Sequence, residues 1–243
     1  MIADPVQQAR IDLAAALRMA VRYGLHEGVC NHFSVMVAGD PPRFLINPYG
    51  THWSRLRASD MLLVAVDGTV LEGDGEPETT AFCIHARIHV ANPRATCVLH
   101  THMPYATALT TVLETRLEPI SQNALRFHDD VAYDERFNGL ALDVAEGDRM
   151  AAALGDKRVL FLANHGVIVI GRTVAETFDD LYYLERAAQL QVLALSMGKP
   201  LRRIDEATAR ATFGNRTDRL HYAHAHFGAL KRLLDHDEPD YAD

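Results

Sequence analysis

The sequence predicts an α/β layered domain, and three observations lead to that prediction. Short apolar runs typical of strands are mixed with longer segments that have the apolar spacing of helices. The mixture is irregular, which favours a layered domain over a strict repeat of strand, helix and strand. Of the 243 residues, 48% are hydrophobic, and no linker, repeat or low-complexity segment divides the chain. We therefore expect a single domain over residues 1–243 with one core.

The first half of the chain is predicted to begin with a helix and to continue mainly as strands. The helix covers "DPVQQARIDLAAALRMAVRYGL", where Pro5 suits a first turn and Gly24 a C-terminal stop. Strands are predicted at "FSVMVAG", "RFLINP" and "MLLVAV", and the turn "DGT" follows the last of them. The stretch "TTAFCIHARIHVANP" predicts a second helix, which ends at Asn92-Pro93.

The second half is predicted to contain further strands and most of the helices. A buried strand at "ATCVLHTH" leads into a helix at "PYATALTTVL", and the polar stretch "FHDDVAYDERFNG" is expected to be a loop. A helix at "AEGDRMAAALG" comes before strands at "RVLFLA" and "VIVIG", which the turn "NHG" separates. In the long helix "TVAETFDDLYYLERAAQLQVLALSMG", Thr173 and Glu176 are predicted to form a capping box. Two helices, "DEATARATF" and "RTDRLHYAHAHFGALKRLLD", complete the chain.

Charge, hydropathy and cysteine use exclude several classes of protein. The formal net charge of −8 argues against a nucleic-acid partner, which would be held by neutralising phosphates. The sequence has no run of about 18 apolar residues that would predict a membrane span, and the N-terminal residues do not resemble a secretion signal. Cys30, Cys83 and Cys97 lack metal-ligand spacing and are typical of a reduced protein. We expect a cytoplasmic protein that binds a small molecule and neither nucleic acid nor membrane.

Two histidines one residue apart lie at the end of a predicted strand, in "VLHTHMPYATAL". Residues i and i+2 of a strand project to one face, so His100 and His102 would point the same way. His165 lies between two other predicted strands, before Gly166, which would let the backbone turn tightly. Three imidazoles from two strand ends are the ligand set of an open catalytic metal site. Taken alone, the pattern also fits histidines that are merely neighbours.

Two other groups of histidines compete for that role. His85 and His89 lie four residues apart on the second predicted helix. They would either chelate a metal from one face or pack as half-buried residues, and packing is the preferred interpretation. His221, His224 and His226 belong to the last predicted helix, where we expect a solvated or subunit-contact role.

Long segments of the chain resemble the class II aldolase/adducin family. They are "FLINPYG", "ASDMLLVAVDGTV", "AFCIHARIHVANPRATCVLHTHMPYATAL" and "VLFLANHGVIVIGRTVAETFDDLYYLERAAQLQ", in family order over about residues 10–200. The resemblance implies a three-layer α/β/α sandwich around a mostly antiparallel central sheet. It also implies a homotetramer with its sites at subunit junctions. The C-terminal helices from about residue 205 are candidates for a subunit interface.

The same resemblance implies a role for the three histidines. The corresponding residues of the family bind a divalent metal, commonly zinc, which implies His100, His102 and His165 as ligands of one divalent ion per subunit. Zinc is the expected ion. Manganese and iron stay open, because three imidazoles suit all three metals.

The chain departs from the sugar-phosphate aldolases at their acid/base residue. Those enzymes carry a proline, two serines and a glutamate before the long helix, and the matching segment here is "ETTA". Thr79 and Thr80 replace the serines, and Ala81 replaces the glutamate, so this position can neither bind metal nor move a proton. Glu78, the nearest carboxylate in sequence, is the candidate catalytic residue. Alternative acids lie in the predicted acidic loop: His128, Asp129 and Asp130.

The phosphate-binding elements of the family are altered as well. A Gly-Asn pair becomes Cys30-Asn31, which loses the glycine that allows close approach to a phosphate. A Thr-Pro-Ser-Gly element becomes "NPYG", in which Tyr49 replaces a small hydroxyl and offers a stacking face. Where the aldolases use a tyrosine, Gln122 is the nearest polar residue. The expected substrate-binding residues are Asn31, Asn47, Tyr49, Gly50, Thr79, Thr80 and Gln122.

The expected function is a divalent-metal-dependent carbon–carbon lyase that acts on a non-phosphorylated hydroxy, oxo or aromatic carboxylic acid. Both aldolase and decarboxylase chemistry stay open, and the missing glutamate favours decarboxylation, which needs an electron sink but no base to break the bond. The alternative is a non-catalytic adducin-like assembly protein, because adducin head domains share the "NPYG" and "AF-IHA-IH" features.

Overall fold

A computed structural model describes residues 4–213 and 216–243, and within them eight strands form one mixed sheet in the order β4-β3-β2-β1-β5-β8-β7-β6. All neighbouring strands are antiparallel except β6 and β7, which are parallel. The strands are β1 His32–Val37, β2 Arg43–Ile46, β3 Leu62–Ala65, β4 Val70–Glu72, β5 Cys97–Thr101, β6 Val131–Asp134, β7 Val159–Leu162 and β8 Gly166–Gly171. The prediction of an α/β fold with a mostly antiparallel sheet is confirmed.

Helices cover both faces of this sheet. They are α1 Pro5–Arg22, α2 Thr79–Ala91, α3 Pro104–Thr110, α4 Gln122–Leu125, α5 Val144–Leu154, α6 Val174–Ser196, α7 Glu206–Phe213 and α8 Arg216–Asp237. Because side chains alternate along a strand, Leu99 of β5 faces a core built with α1, α6 and α8, while Val98 faces a second core built with α2 and α5. His100 has the parity of Val98 and therefore lies on the α2 side of the sheet.

Most predicted elements are present, and the differences concern weakly apolar segments. The stretch expected to be a loop contains β6, so that prediction was wrong. β6 is a half-exposed edge strand of four residues in an acidic segment, and it therefore carries little apolar signal. β4, at the opposite edge, has only three residues, all of them exposed, and it was not predicted because so short a run shows no strand alternation.

Several helix ends lie where the capping residues of the sequence predicted them. Pro5 is the first residue of α1, and Gly24 follows that helix with φ +65°, a value that favours glycine. Thr173 caps α6 by accepting a hydrogen bond from the Glu176 backbone N–H. The Glu176 carboxylate accepts from the Arg172 N–H rather than from that of Thr173, so only half of the predicted capping box forms.

The C-terminal residues pack back against the first helix. Arg18 of α1 is buried, and its guanidinium donates to both carboxylate oxygens of Asp240, to Glu238 and to the Leu56 carbonyl. Asp240 lies in a 3-10 helix, Pro239–Ala242, that follows α8. A buried guanidinium needs such partners, because an unpaired charge in the core is costly.

None of the helices in the described part of the chain is both long and apolar enough to cross a membrane.

Candidate metal centre

Three imidazole rings converge where β5 ends beside the β7–β8 turn. His100 is the second-last residue of β5, His102 follows the strand, and His165 lies in the turn before β8. The ring centroids of the three pairs are 4.8–5.0 Å apart, and one nitrogen from each ring lies within 4.8 Å of the other two. The structure therefore brings together the three histidines that the sequence analysis selected.

The hydrogen bonds of two rings define which nitrogen is bare. His100 Nδ1 donates to the Val167 carbonyl at 3.0 Å, because a carbonyl oxygen can only accept. His102 Nδ1 lies 2.6 Å from the Glu27 carboxylate, which likewise accepts. In the neutral rings both Nε2 atoms are consequently without a hydrogen, and they lie 3.2 Å apart. Two facing lone pairs at this distance repel each other unless a cation lies between them, so this donor set fits a divalent metal.

Burial keeps the His100 and His165 rings in the neutral form that binds metals. Desolvation, followed by the neighbouring His32 and the other site histidines, holds the pKa of His100 well below its usual value. Desolvation and then His102 lower the pKa of His165 to about 4, although the nearby Glu146 carboxylate opposes the shift. No proton therefore has to be displaced from these two rings at neutral pH before a metal binds.

Gly166 is required for close packing rather than for the turn that the sequence analysis expected. The positive φ in this turn belongs to Asn164, at +56°. A Cβ on Gly166 would lie 2.6 Å from the Thr101 carbonyl oxygen and 2.8 Å from Cδ2 of the His102 ring. A glycine at this position therefore lets β8 start directly against His102.

Asn31 lies beside the three histidines. Its Oδ1 accepts hydrogen bonds from the backbone N–H groups of Glu27, at 2.7 Å, and of His102, at 3.5 Å. Its Nδ2 is buried and has no partner among the described residues. Because buried amide donors are normally paired, this free N–H₂ is a ready donor for an oxygen of a bound ligand.

The other residues of the "NPYG" element have different surroundings. Asn47 is buried, and its side chain accepts from the Phe33 N–H at 2.9 Å, which joins the start of β1 to the end of β2. The Tyr49 side chain is 56% exposed in this chain. Gly50 has φ +83°, which a residue with a Cβ rarely adopts.

The predicted acid Glu78 caps α2 instead of facing the histidines. Its carboxylate accepts hydrogen bonds from the Ala81 N–H, at 2.9 Å, and from the Thr80 hydroxyl. Ala81 is buried in an apolar cluster with Phe44 of β2, so its position is part of the core. Thr79, the first residue of α2, is exposed.

The remaining acid and substrate candidates lie elsewhere. Gln122 is exposed at the start of α4. Asp130 forms an ion pair with Arg158, whose Nε lies 2.5 Å from its carboxylate. A second group with metal-ligand spacing contains His128, Asp129 and Glu206, but Arg210 already contacts both carboxylates.

The structure also corrects the interpretation of the histidines on the helices. His85 and His89 are fully buried rather than half-buried, and one nitrogen of each ring contacts Ser34 Oγ. His221 and His224 are exposed, whereas His226 pairs with Asp179 at 2.7 Å.

Two residues of the site were missed by the sequence analysis. Glu27 orients His102, and the loop before β1 gives no sequence signal for that contact. His32 stacks on His100 with ring centroids 4.7 Å apart. The alternation of His32 and Ser34 along β1, opposite His85 and His89 on α2, is a signal that could have found it.

Comparisons with known proteins identify the family and match the fold. The family model described as "Class II Aldolase and Adducin N-terminal domain" matches residues 11–192. A crystal structure of an aldolase II superfamily protein from Pseudomonas syringae superimposes with a TM-score of 0.89 at 32% identity, covering 100% of this chain and 98% of that one. The L-fuculose 1-phosphate aldolase of Glaciozyma antarctica gives a TM-score of 0.86 at 27% identity, with 99% and 95% covered.

The chain is also similar to an adducin. Human beta-adducin is 34% identical over 191 residues, which are 77% of this chain and 26% of beta-adducin. The chain therefore spans about a quarter of the length of that relative.

Proposed function

The chain belongs to the class II aldolase and adducin family, and from that premise we propose that it is a divalent-metal-dependent carbon–carbon lyase. Its substrate is a non-phosphorylated hydroxy, oxo or aromatic carboxylic acid. The observation that carries the proposal is the pair of bare Nε2 atoms on His100 and His102, 3.2 Å apart, with His165 beside them. Such a set binds zinc, manganese or iron, and zinc is the preferred ion.

A divalent ion at the three histidines supplies a Lewis acid that withdraws electrons from a bound carboxylic acid. The protein's own residues position that substrate. Glu27 holds the His102 ring through Nδ1, and the unpartnered Nδ2 of Asn31 donates to a substrate oxygen. The pocket is shaped further by Tyr49, Gly50, Thr79, Thr80 and Gln122, contributed by this subunit or by a neighbouring one in a homotetramer.

Two features at the start of α2 favour decarboxylation over aldol cleavage. Ala81 is buried against apolar residues, so the protein has no carboxylate at the position of the family glutamate. Glu78, one turn earlier, is engaged as a helix cap. Aldol cleavage requires a base to take the proton of a hydroxyl group, whereas decarboxylation needs only stabilisation of the developing charge and a later proton donor. Decarboxylation is therefore the favoured reaction.

A second candidate function is a non-catalytic assembly role like that of adducin. The 34% identity to human beta-adducin favours it. An assembly protein has no need for neutral imidazoles with facing lone pairs, so bound metal distinguishes the two functions.

The test combines metal analysis with a substrate screen. We expect the purified protein to hold about one divalent ion per chain, and His102→Ala to lose it while circular dichroism shows an unchanged fold. The matched control is His224→Ala, which removes an exposed histidine of α8. A panel of 2-oxo, 2-hydroxy and aromatic acids is then assayed for carbon dioxide and for carbonyl products. Stoichiometric metal and full turnover in His102→Ala would refute the site, and a metal-free protein insensitive to chelators would favour the assembly role.

A further inference from the structure

Four buried side chains form a continuous chain of hydrogen bonds between β1 and α2. His32 Nδ1 lies 2.7 Å from His85 Nε2, and His85 Nδ1 lies 2.5 Å from Ser34 Oγ. Ser34 Oγ lies 2.7 Å from His89 Nε2, and His89 Nδ1 lies 2.5 Å from the Ala95 carbonyl oxygen. Each side chain is at most 6% exposed. We name these four residues the histidine relay.

The carbonyl at one end determines the direction of every bond. Because the Ala95 oxygen can only accept, His89 carries its hydrogen on Nδ1 and its Nε2 is bare. Ser34 must then donate to His89, so its oxygen accepts from Nδ1–H of His85. The bare Nε2 of His85 in turn accepts from Nδ1–H of His32. All three rings are thus neutral Nδ1–H tautomers, and Nε2 of His32 is bare.

The far end of the relay touches the candidate metal centre. His32 pairs directly opposite His100 in the antiparallel β1–β5 ladder, so both side chains lie on one face of the sheet. Their rings stack at 4.7 Å with planes 29° apart. His32 is not one of the three residues whose nitrogens lie within 4.8 Å of one another, so it contacts a ligand without being one.

Burial keeps the two relay histidines of α2 neutral. Desolvation, followed by the neighbouring His89 and His100, holds the pKa of His85 well below its usual range. Desolvation lowers the pKa of His89 to about 4. Burying four polar side chains is costly unless all of them are hydrogen-bonded. All four side chains of the relay are hydrogen-bonded, so this condition is met.

We propose that the histidine relay is a positioning device that fixes the orientation of the His32 ring against His100 and thereby keeps a cation bound at the three histidines. A rotated His32 would place a displaced ring against a ligand. Residues beyond the ligands commonly change metal affinity by about 10- to 100-fold. The proposal rests on the proposed function to the extent that it requires a metal at this site.

The test uses the full-length chain and has two readouts. Nitrogen-15 NMR of the histidine rings at pH 7, with and without zinc, reports the tautomer of each ring. Competition with a chelating dye reports zinc affinity. We expect Nδ1–H tautomers for His32, His85 and His89 in the wild-type chain.

Ser34→Ala breaks the relay at its centre. We expect it to mix the tautomers of His32 and His85 and to weaken zinc binding at least about tenfold, at a temperature where the variant is folded. The control is Thr107→Val, which removes a buried hydroxyl that has no hydrogen-bond partner in the described structure. It is expected to change neither readout.

The possible results distinguish a failure of the histidine relay from a failure of the proposed function. An Nε2–H tautomer at His32 in the wild-type chain would overturn the relay, and this measurement does not depend on any variant folding. Normal tautomers with unchanged zinc affinity in Ser34→Ala would overturn its positioning role. Normal tautomers in a wild-type chain that binds no divalent metal would overturn the proposed function, and the positioning role with it.

Discussion

The Nε2 atoms of His100 and His102 lie 3.2 Å apart, and the partners of the two Nδ1 atoms leave both without a hydrogen. One partner is a backbone carbonyl, which cannot be removed by mutation. The other is the side chain of Glu27, in a loop far away in sequence. The orientation of the two rings therefore depends on contacts outside the short "HTH" element, and these contacts can be tested one at a time.

The Glu27–His102 contact is the most accessible of them. Glu27→Gln replaces an anionic acceptor with a neutral amide, so we expect zinc affinity to fall by about 10- to 100-fold with little change in thermal stability. Chelator competition measures the affinity. Glu114→Gln, at an exposed position, is the control. Equal affinity in the two variants would show that Glu27 does not orient the ring.

Gly166 sets how closely β8 approaches His102. Gly166→Ala would place a methyl group 2.8 Å from the His102 ring, so either the strand or the ring must move. We expect at least about a tenfold loss of zinc affinity, because a displacement near 1 Å disrupts a positioned site. Gly228→Ala, where the nearest atom is the end of the Arg232 side chain at 3.5 Å, serves as the comparison. A Gly166→Ala protein with wild-type affinity would contradict this packing argument.

Replacement of Ala81 by the glutamate of the family is predicted to destabilise the fold. Ala81→Glu would bury a carboxylate in an apolar cluster, and we expect the free energy of unfolding to fall by about 3 kcal/mol in urea titrations. Thr79→Glu adds the same side chain at the exposed first residue of α2, where the helix dipole favours it, and is expected to change stability by less than about 0.5 kcal/mol. Equal stability of the two variants would show that the side chain at position 81 is not packed in the core.

Stability of the metal-free chain is predicted to decrease in acid. The pKa values of His85 and His89 lie below the usual 6.5 in the folded state, and that of His89 is about 4. Below pH 6.5 the unfolded chain therefore binds protons that the folded chain does not, so stability is lost as the pH falls from about 6.5 towards 4. Each such histidine contributes up to about 1.4 kcal/mol per pH unit. Urea titrations in the presence of a chelator, from pH 7.5 to 5, measure this slope.

His89→Gln is expected to reduce that slope, and His224→Gln to leave it unchanged because His224 is exposed. A wild-type chain that becomes more stable between pH 6.5 and 5 would show that its buried histidines are charged in the folded state.

Apolar periodicity predicted the strongly patterned elements, because burial of one face imposes the pattern. It failed at β4 and β6, which are short strands at the two edges of the sheet. The convergence of His100, His102 and His165 was predicted from strand alternation together with the family resemblance.

The contacts of Glu27, His32 and Gly166 were not predicted, because each depends on what lies opposite in space. Gly166 illustrates the limit best. Its sequence context suggested a tight turn, yet its role is set by the Thr101 carbonyl of a strand more than sixty residues earlier.

The ion pairs of Arg18 predict what a deletion of residues 238–243 would do. Its counter-ions, Glu238 and Asp240, lie within the last six residues, and the Ser59 N–H donates to the carbonyl of Asp243. Deletion of residues 238–243 would therefore leave the buried Arg18 guanidinium without its counter-ions. We expect this loss to disturb the packing of α1, on the face of the sheet opposite His100.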